Sequence, residues 1–165
     1  DNPKNGIPFA FDHKDGKYVE VYKKDINDKV KDYYKKPKIV CTFNGSNPIG
    51  YLYPKFYKKP IATTTFTMYQ LIEDTSVQNV TKHINFLNSK LLMAILKLTQ
   101  YSPPPRNKND QKIINLIQIP NLPNNPSNKD IYKYYNITSS EQILLEKICK
   151  EYSFKKTKKI KKSVM

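Results

Sequence analysis

Few residues in this chain have the types and spacing that chemistry needs. Asp12, Asp15 and Glu20 are acids close enough in sequence to suggest a metal-dependent nuclease cluster, and His13 among them could act as a base. No lysine at fixed spacing singles out a nuclease site, and solvated charges around an Asp15-Gly16 turn account for the same acids. Metal-dependent cleavage of plasmid DNA, lost on Asp12→Asn, would mark such a site; no cleavage is expected. His13 and His83 are isolated, so no metal-ligand spacing exists and no metal is expected. Cys41 follows an apolar strand-like run and Cys149 lies on the apolar face of a helix, so both read as buried reduced thiols. GxGxxG, P-loop, GxSxG and HExxH motifs are missing, and the 4 glycines leave little chain for phosphate-cradling loops. No catalytic residue is assigned, and the chain alone is expected to be non-catalytic and without a cofactor.

Residues suited to binding are more frequent. Tyrosine and lysine are interleaved at Tyr33-Tyr34-Lys35-Lys36, at Tyr53-Pro54-Lys55-Phe56-Tyr57-Lys58-Lys59 and at Tyr132-Lys133-Tyr134-Tyr135. Lysine pairs with phosphates, while tyrosine stacks on bases or donates to phosphate and sugar. The plain alternative for each cluster is a core aromatic flanked by solvated lysines. At Tyr134 and Tyr135 that alternative is favoured, because a short helix needs a packing face. Residues 101–109 contain Pro103-Pro104-Pro105 followed by Arg106-Asn107-Lys108-Asn109, a rigid exposed loop whose prolines lower the entropy lost on docking. Arg106 carries the planar fork that reads guanine, and Asn107 and Asn109 carry the amide that reads adenine. These three are the candidate base-reading residues. Lys55, Lys58, Lys59 and Lys108, with Lys155, Lys156, Lys158 and Lys159 of the tail, are the candidate contacts to the DNA backbone.

The charge agrees with a polyanionic partner. There are 29 basic against 14 acidic residues, a net charge of +15. A surface that basic favours DNA, RNA or an anionic membrane face, and it gives a salt-sensitive affinity for DNA on its own. Arg106 is the only arginine, and asparagine, isoleucine and tyrosine are abundant. An AT-rich genome inflates those residues and lysine together, so codon bias is an alternative source of part of the charge. No apolar stretch approaches the roughly 20 residues of a membrane helix. The chain shows no signal peptide. It begins at Asp1 and not at a methionine, so it is expected to be part of a longer protein.

The elements that must position these residues form an α+β pattern. Residues 1–36 read as an N-terminal extension or edge strand, with alternation at Lys17-Tyr18-Val19-Glu20-Val21-Tyr22 and a weak helix or loop over 26–34. Residues 37–72 read as β structure: a strand at 38–43, an Asn44-to-Pro48 turn, and one long strand from Ile61 to Ile72. Val77, Val80, Ile84, Leu87, Leu91 and Ile95 recur at helical spacing. Thr75 or Ser76 can cap that helix, and Asn88-Ser89 splits off a second one over 90–99. A strand is favoured over 112–119, a short helix over 130–135, and a capping box at Thr138-Ser139-Ser140-Glu141 opens a last helix. Residues 153–165 read as a flexible lysine-rich tail. No internal repeat is evident. The expected fold is a small mixed or antiparallel sheet packed on one side by the helices at 76–99 and 138–150.

The order of these elements resembles a known family. The runs KPKIVCTFNGSNPIGYLYPKFYKKPIATTTFTMYQLIED, INFLNSKLLMAILKLTQYSPPPRNKNDQKIINLIQIPNLP and DIYKYYNITSSEQILLEKI are similar to the C-terminal specificity region of adenine-specific DNA methyltransferases. The relatives meant are the TaqI-like enzymes and the type IIG fused restriction–methylation enzymes, copies in large DNA viruses included. The resemblance covers roughly residues 37–150. It implies a target-recognition domain that grips and reads double-stranded DNA while a catalytic domain or subunit upstream of Asp1 transfers the methyl group. S-adenosylmethionine would belong to that other domain. The family's Asn/Asp-Pro-Pro-Tyr/Phe motif has no counterpart here, since Ser102-Pro103-Pro104-Pro105 differs from it in order and context. The chain is therefore expected to bind DNA as part of a restriction–modification system, in a reducing cytoplasmic or nuclear compartment, a viral factory or a virion. Two other functions remain open, a basic structural virion protein and the nuclease described above.

Overall fold

The computed structural model describes residues 6–12, 18–23, 28–42, 51–64, 67–99 and 118–151. The Asn44-to-Pro48 turn, the loop at 101–109, most of the expected strand at 112–119 and the tail at 153–165 lie outside the described residues. The elements in chain order are β1 (Ile7–Asp12), β2 (Tyr18–Lys23), α1 (Asp28–Tyr34), β3 (Lys38–Thr42), β4 (Lys55–Tyr57), β5 (Ala62–Thr63), β6 (Thr67–Leu71), α2 (Val77–Leu87), α3 (Lys90–Thr99), α4 (Asn128–Tyr134) and α5 (Ser139–Glu151). The fold is α+β.

The strands form two three-stranded sheets, ordered β2-β1-β5 and β4-β3-β6. In the second, β3 pairs antiparallel with both neighbours, in the register Lys38↔Tyr57 and Lys38↔Leu71. All five residues of β3 are buried, so both of its faces must be covered. Alternation along the strands sends Ile39, Cys41, Phe56, Met68 and Ile72 to one core with Val80, Leu87 and Leu96 of α2 and α3. It sends Val40 and Tyr57 to the other face, where they pack with Ala10 of β1 and with Ile61. Helices α2 and α3 thus cover one face, and the sheet built on β1 covers the other. A third cluster, Phe9, Val30, Tyr33 and Ala62, fixes α1 against β1 and β5. Each fully buried leucine or isoleucine contributes about 1.5–3 kcal/mol.

One element differs in kind from the expectation. The Thr-rich run from Ile61 to Ile72 is two strands and not one. β5 runs parallel to β1, while β6 runs antiparallel to β3. The switch is made by threonine: the Thr64 amide donates to Thr67 Oγ1 at 2.8 Å, and the Thr67 amide donates to the Thr64 carbonyl at 3.2 Å. Such local side-chain bonds compete with the ladder and turn the chain. The Thr67 hydroxyl also donates to the Ala10 carbonyl at 3.3 Å, which links the two sheets. β1, at the centre of the first sheet, is an addition to the edge strand expected over residues 1–36.

The helices begin and end where the sequence places caps. Ser76 accepts the Asn79 amide at the start of α2, and Ser89 accepts the Leu92 amide at the start of α3. The Lys90 amide is held by Asn128 Oδ1 at 2.9 Å, so α4 helps to cap α3. Thr138 and Glu141 form the expected capping box: the Thr138 amide donates to the Glu141 carboxylate at 2.7 Å, and the Glu141 amide donates to Thr138 Oγ1 at 3.4 Å. Ser127 and Asp130 make a second box at α4. That helix closes with Asn136 at φ 53. The Asn136 amide donates to the Lys133 carbonyl and the Ile137 amide to the Tyr132 carbonyl, the paired bonds of a left-handed C-terminal cap. α5 packs on α3, where Cys149 Sγ meets the Lys90 carbonyl and the Lys90 and Glu146 side chains pair. Leu145, Ile148 and Cys149 make its inner face, whereas Ile143 and Leu144 are exposed. Both cysteines are buried free thiols. Burial pushes Cys41 up to about 12, so it stays a thiol at neutral pH.

Candidate nucleic-acid interface

The tetrapeptide Tyr-Lys-Lys-Pro occurs twice, as Tyr34-Lys35-Lys36-Pro37 and as Tyr57-Lys58-Lys59-Pro60. Each copy sits where a regular element ends: the first after α1, the second after β4. Proline ends the element by removing an N–H and restricting the residue before it. The fold brings the two copies together. Lys38 and Tyr57 are direct cross-strand partners, so the residues before Lys38 and after Tyr57 leave the sheet at the same end. The Ile61 amide donates to the Tyr34 carbonyl at 3.2 Å and closes the gap between the segments. Lys35, Lys36, Lys58 and Lys59 are all exposed at this corner.

Tyr33, Tyr57 and Phe56 of these two clusters are structural. Tyr33 is 6% exposed, stacks on Tyr69 with ring centroids 3.9 Å apart, and shares a 2.8 Å hydrogen bond with Thr63 Oγ1. Tyr57 is 5% exposed in the core with Val40 and Ile61. Lys55 lies over its ring at 5.2 Å, so Lys55 is exposed yet partly engaged with the protein. Phe56 packs against the helical core. No base can stack on Tyr33 or Tyr57 without unfolding the sheet, and the corner's chemistry is that of its ammonium groups.

Beneath the corner lies a lysine with no exposure at all. Lys38 is 0% exposed, donates to the Tyr34 carbonyl at 3.0 Å and sits 5.8 Å from the Tyr33 ring centroid. Burial lowers its pKa from 10.5 to about 8. Near neutral pH it is largely charged, and it adds positive potential under the four exposed lysines. Lys97 is its counterpart in the helical half. It is 5% exposed, donates to the Cys149 carbonyl at 2.9 Å and lies 5.5 Å from the Tyr51 ring. Burial lowers its pKa as well. Each buried ammonium is thus held by one carbonyl oxygen and one tyrosine face.

Several acids of the helical half are engaged at helix starts or in an ion pair. Asp74, Asp130 and Glu141 bond the helix starts at Ser76, Ser127 and Thr138, and those bonds hold their carboxyls below the usual range. Glu146 pairs with Lys90, and the hydrogen bond between them raises the lysine's pKa. Asp32 of α1 is the exposed carboxylate nearest the corner in sequence.

Two open clefts complete the surface. One, of about 530 Å³, is lined by Gln70, Asn79, Lys82, His83, Gln118 and Asn121. The His83 ring bonds the Asn79 carbonyl through Nδ1 at 2.8 Å. A carbonyl only accepts, so Nδ1 carries the proton. This cleft adjoins the point where the chain emerges from the segment containing Arg106. The second, of about 510 Å³, lies along α4 and α5 and is lined by Lys129, Tyr132, Lys133, Asn136, Ile137 and Gln142. Both are open at the surface, unlike the pockets that enclose small molecules.

The third Tyr-Lys cluster is arranged opposite to expectation. Ile131 and Tyr132 supply the packing of α4, while Tyr134 and Tyr135 are 49% and 41% exposed. Those two rings meet edge to face at 5.0 Å.

Of the candidate backbone contacts, Lys55, Lys58 and Lys59 are placed together on β4 and the turn after it. Lys108, Lys155, Lys156, Lys158 and Lys159 lie outside the described residues, as do the candidate base readers Arg106, Asn107 and Asn109. Asp12 and Glu20 fall on paired strands of the β1–β2 hairpin, Asp12 opposite Tyr18 and Glu20 opposite Ala10. Asp15 and His13 lie outside the described residues. Lys35 and Lys36, not among the candidate backbone contacts, share the corner with Lys58 and Lys59, and the recurrence of Tyr-Lys-Lys-Pro is the sequence signal that points to them. Among the described residues no group of three or more His, Cys, Asp or Glu side chains is placed to hold a metal. No helix among them is long and apolar enough to cross a membrane. No family model, curated protein or solved structure matches the chain.

Proposed function

We propose that this chain is a duplex-DNA-binding module, the target-recognition part of a DNA modification protein whose methyl-transferring domain lies outside it. The observation that carries this reading is the convergence of Lys35, Lys36, Lys58 and Lys59, all exposed, at one corner of the sheet. Phosphate contacts from that corner anchor the duplex and fix its register; they carry no sequence information. Sequence is read by Arg106, with Asn107 and Asn109, from the proline-rich loop. Lys55, Lys108 and the tail lysines extend the phosphate contacts. The chain needs no cofactor for this role, and S-adenosylmethionine acts in the partner domain.

Selection from a randomised duplex library tests the reading. The parent protein is expected to enrich one sequence, and Arg106→Ala is expected to lose that preference while keeping most of its total affinity. Bidentate readout of a base is worth about 1–3 kcal/mol of discrimination. A variant that discriminates as well as the parent removes Arg106 from the mechanism.

A specific observation favours a second reading, a basic structural component of a virion. Tyr134, Tyr135, Ile143 and Leu144 are all exposed on α4 and α5, a composition suited to protein contacts. Recovery of the chain in many copies from purified particles, with no sequence preference on DNA, would favour it over target recognition.

A further inference from the structure

We propose that the two Tyr-Lys-Lys-Pro turns act as one composite site for two adjacent phosphate groups, and not as four independent lysines. This deepens the DNA-binding reading and rests on it for the identity of the ligand, but the site's chemistry is that of any linear phosphate chain. Three features of the fold support it. The Ile61 amide joins the second turn to the first by donating to the Tyr34 carbonyl at 3.2 Å, while the first turn is braced by the Lys36 amide on the Tyr33 carbonyl at 3.0 Å and by the Ile72 amide on the Pro37 carbonyl at 3.0 Å. The strands that carry them are neighbours in the ladder, about 4.8 Å apart, so a lysine from each turn reaches the same phosphate oxygens. The Tyr34 carbonyl is also the acceptor of the buried Lys38 ammonium, so a fixed positive charge lies under the place where the turns meet.

The arrangement is built before any ligand arrives. Pro37 and Pro60 set the backbone of both turns, and Tyr33 and Tyr57 root them in the core. Four exposed ammonium groups so close together repel one another, and a bound phosphate pair relieves that repulsion. Either turn alone offers two ammonium groups and no shared cradle, which is why the site needs both.

The test is a double-mutant cycle. Lys35 and Lys36 are changed to Gln in one variant, Lys58 and Lys59 to Gln in a second, and all four in a third. Each is titrated with a labelled duplex and, separately, with sodium tripolyphosphate, across a salt series. Thermal melting within a few degrees of the parent shows that the fold is intact, as the four positions are exposed. A composite site holding two phosphates predicts that either pair alone lowers the slope of log affinity against log salt by about 2, and that the quadruple variant lowers it by no more. Between 50 and 200 mM salt, the parent then loses about tenfold more duplex affinity than any of the three variants does. Independent lysines predict about 2 for each pair and about 4 for both together, and that additive result overturns the proposal.

The two probes separate the composite site from the larger reading. Tripolyphosphate bound with the non-additive pattern, without measurable duplex binding, supports the composite site and sinks the DNA reading. Duplex bound with an additive or absent effect leaves DNA binding standing and sinks the composite site. Failure of the parent to bind either probe contradicts both. Pro37→Ala with Pro60→Ala supplies an independent check: both lysine pairs remain, yet affinity for either probe is expected to fall. Unchanged affinity in that variant counts against a preformed cradle.

Discussion

The corner at residues 33–38 and 57–61 and the ridge at residues 129–135 are made of the same two residue types, and they present opposite ones to solvent. At the corner, Tyr33 and Tyr57 are buried and Lys35, Lys36, Lys58 and Lys59 stand out. On the ridge, Ile131 and Tyr132 are buried and two tyrosines stand out beside Lys129 and Lys133. The difference lies in what each element must supply to the core. Two sheets and α1 meet at the corner, and large rings are needed to fill the space between them. α4 has only seven residues, and one turn of it, Ile131 with Tyr132, satisfies the packing. Surface chemistry is therefore what the core leaves behind, and interleaved tyrosine and lysine mean different things in the two places. The corner is suited to bare phosphate contact, and the ridge to stacking or protein contact.

The largest expected effect is on stability and divides the two regions. Tyr33→Ala or Tyr57→Ala should cost about 3–5 kcal/mol by urea denaturation, as buried aromatic truncations do, whereas Tyr134→Ala should change stability by less than about 0.5 kcal/mol. Equal losses at Tyr57 and Tyr134 would erase the distinction drawn between them.

Next comes the buried charge at the corner. The folded-state pKa of Lys38 is lowered to about 8 from 10.5. Below about pH 8 the ammonium is buried at its full cost. Between pH 8 and 10.5 the unfolded chain binds more protons than the folded one, so stability rises with pH through that window. Lys38→Met keeps the stem, removes the charge, and should raise stability at pH 7 by about 3 kcal/mol at most while flattening that rise. A loss of stability at pH 7 would mean that the Tyr34 carbonyl and the Tyr33 ring outweigh desolvation. A smaller effect, about 1 kcal/mol, is expected for Thr138→Ala, which removes the capping box of α5. Smaller still is Tyr132→Phe. The Tyr132 hydroxyl is buried without a hydrogen-bond partner among the described residues, so its removal should be neutral or slightly stabilising in thermal melts. A clear loss there would reveal a partner for that hydroxyl.

Local signals in the sequence were legible, and pairings across the chain were not. Ser76, Ser89 and the Thr138–Glu141 box mark their helices because a cap involves residues three apart. The split of the Ile61-to-Ile72 run between two sheets was hidden, since it depends on β5 finding β1 and β6 finding β3, partners about 25 to 55 residues away. The burial of Lys38 and Lys97 was hidden for the same reason: each needs a carbonyl and a tyrosine ring supplied by packing. Lys58 and Lys59 were recognisable from their run of charge beside aromatics. Their association with Lys35 and Lys36 follows only from the Lys38↔Tyr57 register. The two buried lysines also show that part of the lysine excess belongs to the core, so the total charge of +15 overstates what a polyanion can meet.

Duplex affinity across a salt series, measured by fluorescence anisotropy with the parent protein and the Lys35, Lys36, Lys58, Lys59 quadruple Gln variant, decides whether this corner holds DNA. The parent is expected to bind with log affinity falling linearly in log salt, and the variant with a slope shallower by about 2. A parent that fails to bind duplex at about 50 mM salt, or a variant whose slope equals the parent's, contradicts it.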